Sequence, residues 1–461
     1  MQRILAIAGL TWKAALRFKL FLVIAVLLLI TVVGLPLVIK DDGTAQGFIQ
    51  IILTYTLSCI TVLLGLATLW LSCGTLARDI EECQIQVVAT KPVARWQIWL
   101  GKWLGIVSLN AVLLAISGGS VYGLLLYRTA QKPAEVQAIL HNEIMVARGS
   151  AREASNADEI ESETDRILQG RLKSTPVDQA DRAQLRKQIR EMVRGDLQLV
   201  PPSYERSWKI DLGLARHSLA GKPLQLRVKF NAANKSASGT YGAWWQIGDP
   251  KSPNVVRLAP LHLAPDTLHE IPIPADLFDA RGILTVTFVN LNDTALLFPL
   301  DEGLEVLYPE GGFALNFARG LGIIFCWMAV LAALGLAAAS LLSFPVATFF
   351  TLAVMLVVLA SGTLADSVDS GSVAAGDEES GIAGHSVADV VLIPAFRGML
   401  GVINLVKDFS PIDALSTGRS ITWDELGLAF AQIVLLMGGI LAGAGIFLFS
   451  RRELATAQGT Q

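Results

Sequence analysis

The chain has 461 residues, of which 52% are hydrophobic and 17% charged, a composition that is rare in soluble globular proteins and indicates a membrane protein. Its net charge of −3 carries little information as a total, and nucleic acid is not among the expected partners. Its four cysteines are too few for a disulfide framework, so a domain outside the membrane must be held together by its own core.

The segment before the first apolar run contains four basic residues and no acid: Arg3, Lys13, Arg17 and Lys19. Its apolar residues recur at roughly helical spacing, which predicts an amphipathic helix lying at the membrane surface. The alternative is a cleaved signal peptide, but no small-residue cleavage site precedes a polar segment.

Six apolar runs reach or nearly reach the roughly 20 residues that a membrane-crossing helix needs. They are residues 20–39, 48–73, 103–126, 313–342, 344–359 and 426–449. We therefore expect an α-helical polytopic membrane protein with six transmembrane helices, three in the N-terminal half (1–127) and three in the C-terminal half (313–461). Basic residues concentrate near both termini and in the loop 74–102, so the positive-inside rule places all three in the cytoplasm. The insert 128–312 is then extracytoplasmic by parity.

The insert is expected to have two parts. In residues 128–198, Val136, Leu140, Ile144, Ala147 and Ala151 recur at helical spacing and predict a helical segment that forms a stalk or packs on the next part. A solvated helix without a partner is the alternative. In residues 199–312, short alternating runs separated by turn clusters predict an antiparallel, jelly-roll-like β-sandwich, making the insert α+β.

Three aromatic residues lie close together in one predicted strand: Tyr241, Trp244 and Trp245. They could offer a stacking face for a sugar or peptide ligand, although aromatic residues in a strand more often belong to the core. Further along, residues 387–406 are apolar but contain Asp389, Pro394 and Arg397. This composition indicates an external interfacial or re-entrant segment.

The chain lacks the usual catalytic signatures. Its five histidines are scattered with no ligand-like spacing, and neither a Gly-x-Ser-x-Gly elbow nor a phosphate-binding loop occurs. We therefore expect no catalytic, cofactor-binding or metal residues and no enzymatic activity of its own. Any ATP hydrolysis would belong to another polypeptide.

The predicted cytoplasmic loop 74–102 carries three short motifs: Glu81-Glu82, Lys91-Pro92-Val93-Ala94-Arg95 and Gly101-Lys102. In their order and spacing relative to the apolar runs, they resemble the permease subunits of type-2 ATP-binding-cassette (ABC) exporters. The resemblance covers the six runs and their cytoplasmic edges, and not the insert. Cys83-Gln84 depart from the Gly-Thr pair that is usual in that family.

The resemblance implies a permease subunit of an ATP-driven exporter in the bacterial inner membrane, surrounded by lipid and paired with a second permease copy or a similar chain. ATP and magnesium would bind to a separate ABC ATPase subunit, and no cofactor would bind to this chain. The implied ATPase-coupling residues are Glu81, Glu82, Lys91, Pro92, Arg95, Gly101 and Lys102. The alternative for Glu81, Glu82 and Arg95 is ordinary solvated loop charge. Independently of the resemblance, the helical spacing of tryptophans 96, 99 and 103 places them at headgroup level and predicts that Arg95 and Lys102 face lipid phosphate or a protein.

Two other functions remain open. The chain could be a membrane-anchored extracytoplasmic binding or assembly protein without transport activity, or a membrane enzyme, which has the least support. The substrate cannot be derived, because apolar spans suit lipid, peptide and polysaccharide alike.

Overall fold

In the computed structural model, residues 2–452 are described except for 18, 39–44, 83–92, 141–144, 155, 175–178, 214–218, 220, 223, 235, 237, 250–254, 275–276, 280, 301, 362–367, 369–388 and 408. The chain divides into two compact units. We call residues 1–146 together with 312–461 the helical unit, and residues 147–311 the sandwich unit.

The helices of the helical unit are α1 (Gln2–Arg17), α2 (Lys19–Val38), α3 (Ala45–Glu81), α4 (Arg95–Ala130), α5 (Ala134–Ile139), α8 (Phe313–Leu341), α9 (Phe344–Leu359), α10 (Asp389–Lys407), α11 (Pro411–Ser416) and α12 (Trp423–Arg451). Within α12, residues Phe430–Gly438 are π-helical. Of the predicted loop 74–102, residues 74–81 lie in α3 and residues 95–102 lie in α4, whereas residues 83–92 are outside the described part of the chain.

Four helices are long and apolar enough to cross a membrane: Gly47–Glu81, Arg95–Ala130, Phe313–Leu341 and Trp423–Arg451. The prediction of a helical membrane protein with a sheet insert fits this architecture. Shorter apolar helices correspond to the first and fifth predicted spans and to the predicted interfacial segment: Val26–Leu35, Phe344–Leu359 and Leu392–Val406. Many large apolar side chains on the helices are exposed, as expected for a surface that faces lipid.

Glycines allow close packing between helices of this unit. A Cβ atom on Gly335 of α8 would lie 1.8 Å from the Ser72 hydroxyl oxygen of α3. On α4, a Cβ atom on Gly105 would lie 2.7 Å from the Thr11 Cβ atom of α1. Larger residues at either position would force the helices apart.

The sandwich unit contains the helices α6 (Ala157–Ser174) and α7 (Gln179–Gln198). Its strands are β1 (Val146–Ala151), β2 (Leu199–Val200), β3 (Glu205–Asp211), β4 (Leu224–Val228), β5 (Asn231–Ala232), β6 (Tyr241–Ile247), β7 (Val256–Arg257), β8 (Leu261–Leu263), β9 (His269–Ile273), β10 (Ile283–Asn290), β11 (Leu296–Leu297) and β12 (Leu304–Gly312). They form a four-stranded sheet in the order β1-β12-β4-β9, a second sheet in the order β3-β10-β6-β7 with β8 also paired to β6, and a small sheet β2-β11-β5.

The two larger sheets face each other across one apolar core, which confirms the predicted β-sandwich. Leu226 of β4 and Phe288 of β10 are both fully buried in it. Alternation explains this arrangement, because every second side chain of a strand points to the same face.

The prediction that residues 128–198 form a helical segment is wrong in part. Ala147 and Ala151 lie in β1, an outer strand of the four-stranded sheet. The later part is helical, and α6 packs against α7 through Ile160 and Ile189. These two helices therefore have a partner and are not solvated on all sides.

Candidate functional site

The ends of several helices in the helical unit are joined by charged side chains. The ends concerned are those of α3 at Glu81, α8 at Leu341 and α12 at Arg451, and the beginnings of α4 at Arg95 and α9 at Phe344. Helix ends leave backbone groups without intrahelical partners, and these groups attract charged side chains. We call this group of contacts the charged end of the helical unit.

Arg95 connects the beginning of α4 to the end of α12. Its Nη1 atom donates hydrogen bonds to the carbonyl oxygens of Phe449, Ser450 and Arg452, at 3.0, 2.7 and 2.8 Å. A guanidinium at the carboxyl end of a helix satisfies its last carbonyls and complements the helix dipole. The two helices are therefore fixed to each other at this point.

Lys102 connects α4 to α3. Its Nζ atom lies 2.5 Å from the Asp79 carboxylate and donates a further hydrogen bond of 2.8 Å to the Thr75 carbonyl oxygen. Lys102 is buried, and burial of an ammonium group requires such partners.

Two more contacts belong to the charged end. The Phe344 backbone N–H at the start of α9 donates a 2.9 Å hydrogen bond to the Glu81 carboxylate. Arg452 donates a 3.2 Å hydrogen bond to the Ser340 carbonyl oxygen near the end of α8. Contacts at this end thus involve α3, α4, α8, α9 and α12.

Gly101 has a packing role in α4. A Cβ atom there would lie 2.7 Å from the Ile7 Cβ atom of α1, so only glycine permits the observed approach. About two turns further along α4, the Trp12 indole N–H donates a 2.8 Å hydrogen bond to the Ser108 hydroxyl. The amphipathic N-terminal helix is therefore fastened to α4 by packing and by a polar contact.

The structure thus places Glu81, Arg95 and Lys102 in contacts between helices, where the sequence suggested loop charges. Arg95 and Lys102 were expected to face lipid phosphate or a protein, but both bind groups of the helical unit itself. Glu82 is exposed just beyond α3. Lys91 and Pro92 lie outside the described residues.

The opposite end of α12 is also attached to α8. Asn316 donates a 2.7 Å hydrogen bond to the Arg419 carbonyl oxygen and accepts one of 2.7 Å from the Ile421 N–H. Arg319 donates to the Ile421 carbonyl oxygen, and its guanidinium lies 5.3 Å from the centre of the Trp423 ring. The end of α12 and the segment that leads into its beginning are therefore both attached to α8.

The three aromatic residues of β6 do not share one face. Tyr241 and Trp245 are buried in the sandwich core, and the ring centres of Trp245 and Phe288 are 4.8 Å apart. Trp244 points to the opposite side of the strand, where the Arg257 guanidinium lies 6.0 Å from its ring centre. The predicted stacking face is corrected accordingly, since strand alternation separates Trp244 from the other two rings.

A buried network of charges crosses the four-stranded sheet on its side away from the sandwich core. Arg227 of β4 lies between two glutamates, 2.6 Å from Glu270 of β9 and 3.0 Å from Glu305 of β12. Arg148 of β1 also binds Glu270 at 2.8 Å, and Arg152 binds Glu305 at 3.2 Å. Burial alone would raise the pKa of Glu270, but the guanidiniums of Arg148 and Arg227 together lower it below its ordinary value.

Sequence reasoning missed this network because Arg227, Glu270 and Glu305 occupy polar positions of strands, which normally face water, and because the segment that carries Arg148 and Arg152 was predicted to be helical. One signal was present in the pairing of strands. Arg227 is the register partner of Glu305 on one side and of Glu270 on the other. Opposite charges at paired positions indicate contact once the register is known.

Among the residues that the structure describes, no group of three or more His, Cys, Asp or Glu side chains could hold a metal ion. Comparison with protein-family models, with curated proteins and with solved structures finds no match to this chain. Any functional conclusion therefore depends on the geometry of the chain itself.

Proposed function

We propose that this chain is the membrane-spanning permease subunit of an ATP-driven exporter, coupled through its charged end to a separate ATPase subunit. The observation that carries the proposal is the contact between Arg95 and three carbonyl oxygens at the end of α12. It connects the first residue of α4, next to the short segment between α3 and α4, to a helix whose end is more than 350 positions away in sequence.

This arrangement suits a transporter in which a partner subunit moves one connection between two helices. Residues 82–94 join the ends of α3 and α4, and Lys102 with Asp79 holds these two helices together close to that connection. A partner that moves the connection would tilt α3 and α4 as a pair, and Arg95 would pass the movement to α12. Coupled shifts of packed helices are a common way to open a pathway.

The proposal includes six membrane-crossing helices. To the four long helices it adds α2, whose 20 residues span about 30 Å, and α9, whose 16 residues span about 24 Å in helical form. Both termini and the charged end would lie in the cytoplasm, and the sandwich unit would lie outside a bacterial plasma membrane. A second copy or a similar chain would enclose the pathway, and Mg-ATP would bind only to the partner ATPase.

The test is purification of the tagged full-length chain from its native membranes in mild detergent, followed by mass spectrometry and an ATPase assay. We expect a separate polypeptide with a phosphate-binding loop to co-purify and to supply the ATPase activity. Glu82→Lys should prevent co-purification of this partner, because it reverses an exposed charge at the start of the 82–94 connection. The matched control is Asp424→Lys, which reverses an exposed acid at the other end of α12 and should leave the partner bound. Absence of any such ATPase from the wild-type preparation would contradict the proposal.

The second candidate is a membrane-anchored binding or assembly protein without transport activity. The compactness of the sandwich unit, which has its own apolar core, favours it. It predicts that the sandwich unit binds a ligand although no ATPase co-purifies with the chain.

A further inference from the structure

A cleft of about 370 Å³ lies in the sandwich unit between the two helices and the strands. Its charged lining is mainly basic, with four arginines against two glutamates: Arg152, Arg190, Arg194, Arg206, Glu153 and Glu191. Its volume falls in the range of about 300–1,000 Å³ that is typical of small-molecule sites.

Arg206 is the most enclosed of the four arginines, with 16% of its side chain exposed. It donates to the Leu197 carbonyl oxygen, and its guanidinium lies 4.8 Å from the centre of the Trp208 ring. The nearest carboxylate, that of Glu153, is 3.9 Å away, which is too long for a hydrogen bond. Burial lowers the pKa of Arg206 although Glu153 raises it, so the positive charge is incompletely compensated.

Arg152 brings a second positive charge to the cleft. It is the outermost member of the buried network, in which three arginines face two glutamates: Arg148, Arg152 and Arg227 against Glu270 and Glu305. With 37% of its side chain exposed, Arg152 presents part of its guanidinium group to the cleft.

Apart from Asn156, the rest of the lining is apolar. The apolar residues are Ile160, Trp208, Pro299, Leu300 and Leu304, with alanines at positions 154 and 157. An occupant therefore meets guanidinium groups beside a small apolar surface. Guanidinium groups bind carboxylates and phosphates through paired, charge-assisted hydrogen bonds.

We propose that this cleft binds an organic anion that carries a phosphate or carboxylate group next to a compact apolar part. The site lies entirely within the sandwich unit and uses no residue of the charged end. It can therefore exist whether or not the chain is a permease, and its test is independent of ATPase co-purification.

The test is isothermal titration of the full-length chain in neutral detergent with phenyl phosphate and benzoate, using phenol as the uncharged probe. We expect saturable binding of at least one anion at one site per chain and none of phenol. Arg206→Gln should weaken binding about tenfold, the effect of losing one charge-assisted hydrogen bond. The double variant Arg190→Gln/Arg194→Gln should also weaken it about tenfold, and because it changes only exposed positions of α7 it guards against misfolding of the first variant.

The matched control is Arg186→Gln on the same helix, which removes an arginine that does not line the cleft and should leave binding unchanged. Competition distinguishes two sources of the anion. If short-chain phosphatidylglycerol displaces the bound probe anion more strongly than glycerol phosphate does, the natural anion is a lipid headgroup. The reverse order indicates a soluble ligand. Failure of both anions to bind saturably, or equal affinity in the wild type and in both cleft variants, would overturn the proposal.

Discussion

Replacement of Arg227 by methionine should strongly destabilise the sandwich unit. Arg227 is buried, with 1% of the residue exposed, and its guanidinium lies 2.6 Å from Glu270 and 3.0 Å from Glu305. Methionine fills similar space but cannot compensate the two carboxylates, whose pairing with Arg227 would be lost.

The magnitude follows from burial and from the partners that remain. Breaking a buried ion pair on one side costs about 3–5 kcal/mol. We expect about 3 kcal/mol, the lower end of that range, because Glu270 keeps Arg148 and Glu305 keeps Arg152. Lys229→Met is the matched control, since Lys229 lies two positions further along and pairs with Glu302 at 2.8 Å, but with 32% of its side chain exposed. An exposed pair of this kind contributes about 0–1 kcal/mol.

Hydrogen–deuterium exchange of the full-length chain in detergent, followed in peptides from β4 and β9, measures the difference. If the free energy of unfolding falls by about 3 kcal/mol, hydrogen exchange through opening of these strands becomes about a hundredfold faster. Lys229→Met should change the rate by less than about fivefold. If the two variants exchange at the same rate, the buried network does not stabilise the unit as argued.

Three further predictions concern packing, a buried ion pair and pH. Gly105→Leu should lower the thermal stability of the helical unit, because the added side chain would begin 2.9 Å from a carbonyl oxygen of α1, whereas Gly119→Leu on the same helix has open space and should not. Lys102→Met should cost about 1–3 kcal/mol in denaturant titrations, since it leaves the Asp79 carboxylate without its partner, and restored stability in the double variant with Asp79→Asn would identify the pair as the cause. Because the pKa of Glu270 is lowered, its ionised form stabilises the sandwich unit above about pH 4.3, and this stabilisation is lost as the pH falls through the lowered value. Glu270→Gln should therefore be less stable than the wild type at pH 7, with a gap that narrows as acid is added; a constant gap would refute this origin.

Parts of the fold that depend on local patterns could be predicted from the sequence. The apolar runs predicted the four long helices, because length and hydropathy alone determine whether a helix can cross a membrane. Alternation predicted the strands of the sandwich. It failed for β1, where Ala147 and Ala151 are separated by four positions, a spacing that fits both the 3.6-residue period of a helix and the two-residue period of a strand.

Contacts between distant residues could not be predicted in this way. Arg95 and Phe449 are 354 positions apart, and nothing in either local sequence indicates that one binds the other. Lys102 was expected to face lipid phosphate or a protein, but α3 continues to Glu81 and brings Asp79 beside it. The cleft arginines were likewise missed, since they come from a helix, a strand and a connection that only the fold assembles.

The account depends most on the charged end and the sandwich unit lying on opposite sides of the membrane, where only the charged end can meet an ATP-dependent partner. Single cysteines at Glu82 and at the exposed Tyr204, in a background without the native cysteines, can be labelled in intact cells with a membrane-impermeant maleimide. The account predicts labelling of position 204 in intact cells and of position 82 only after the membrane is permeabilised. Labelling of position 82 from outside would contradict it.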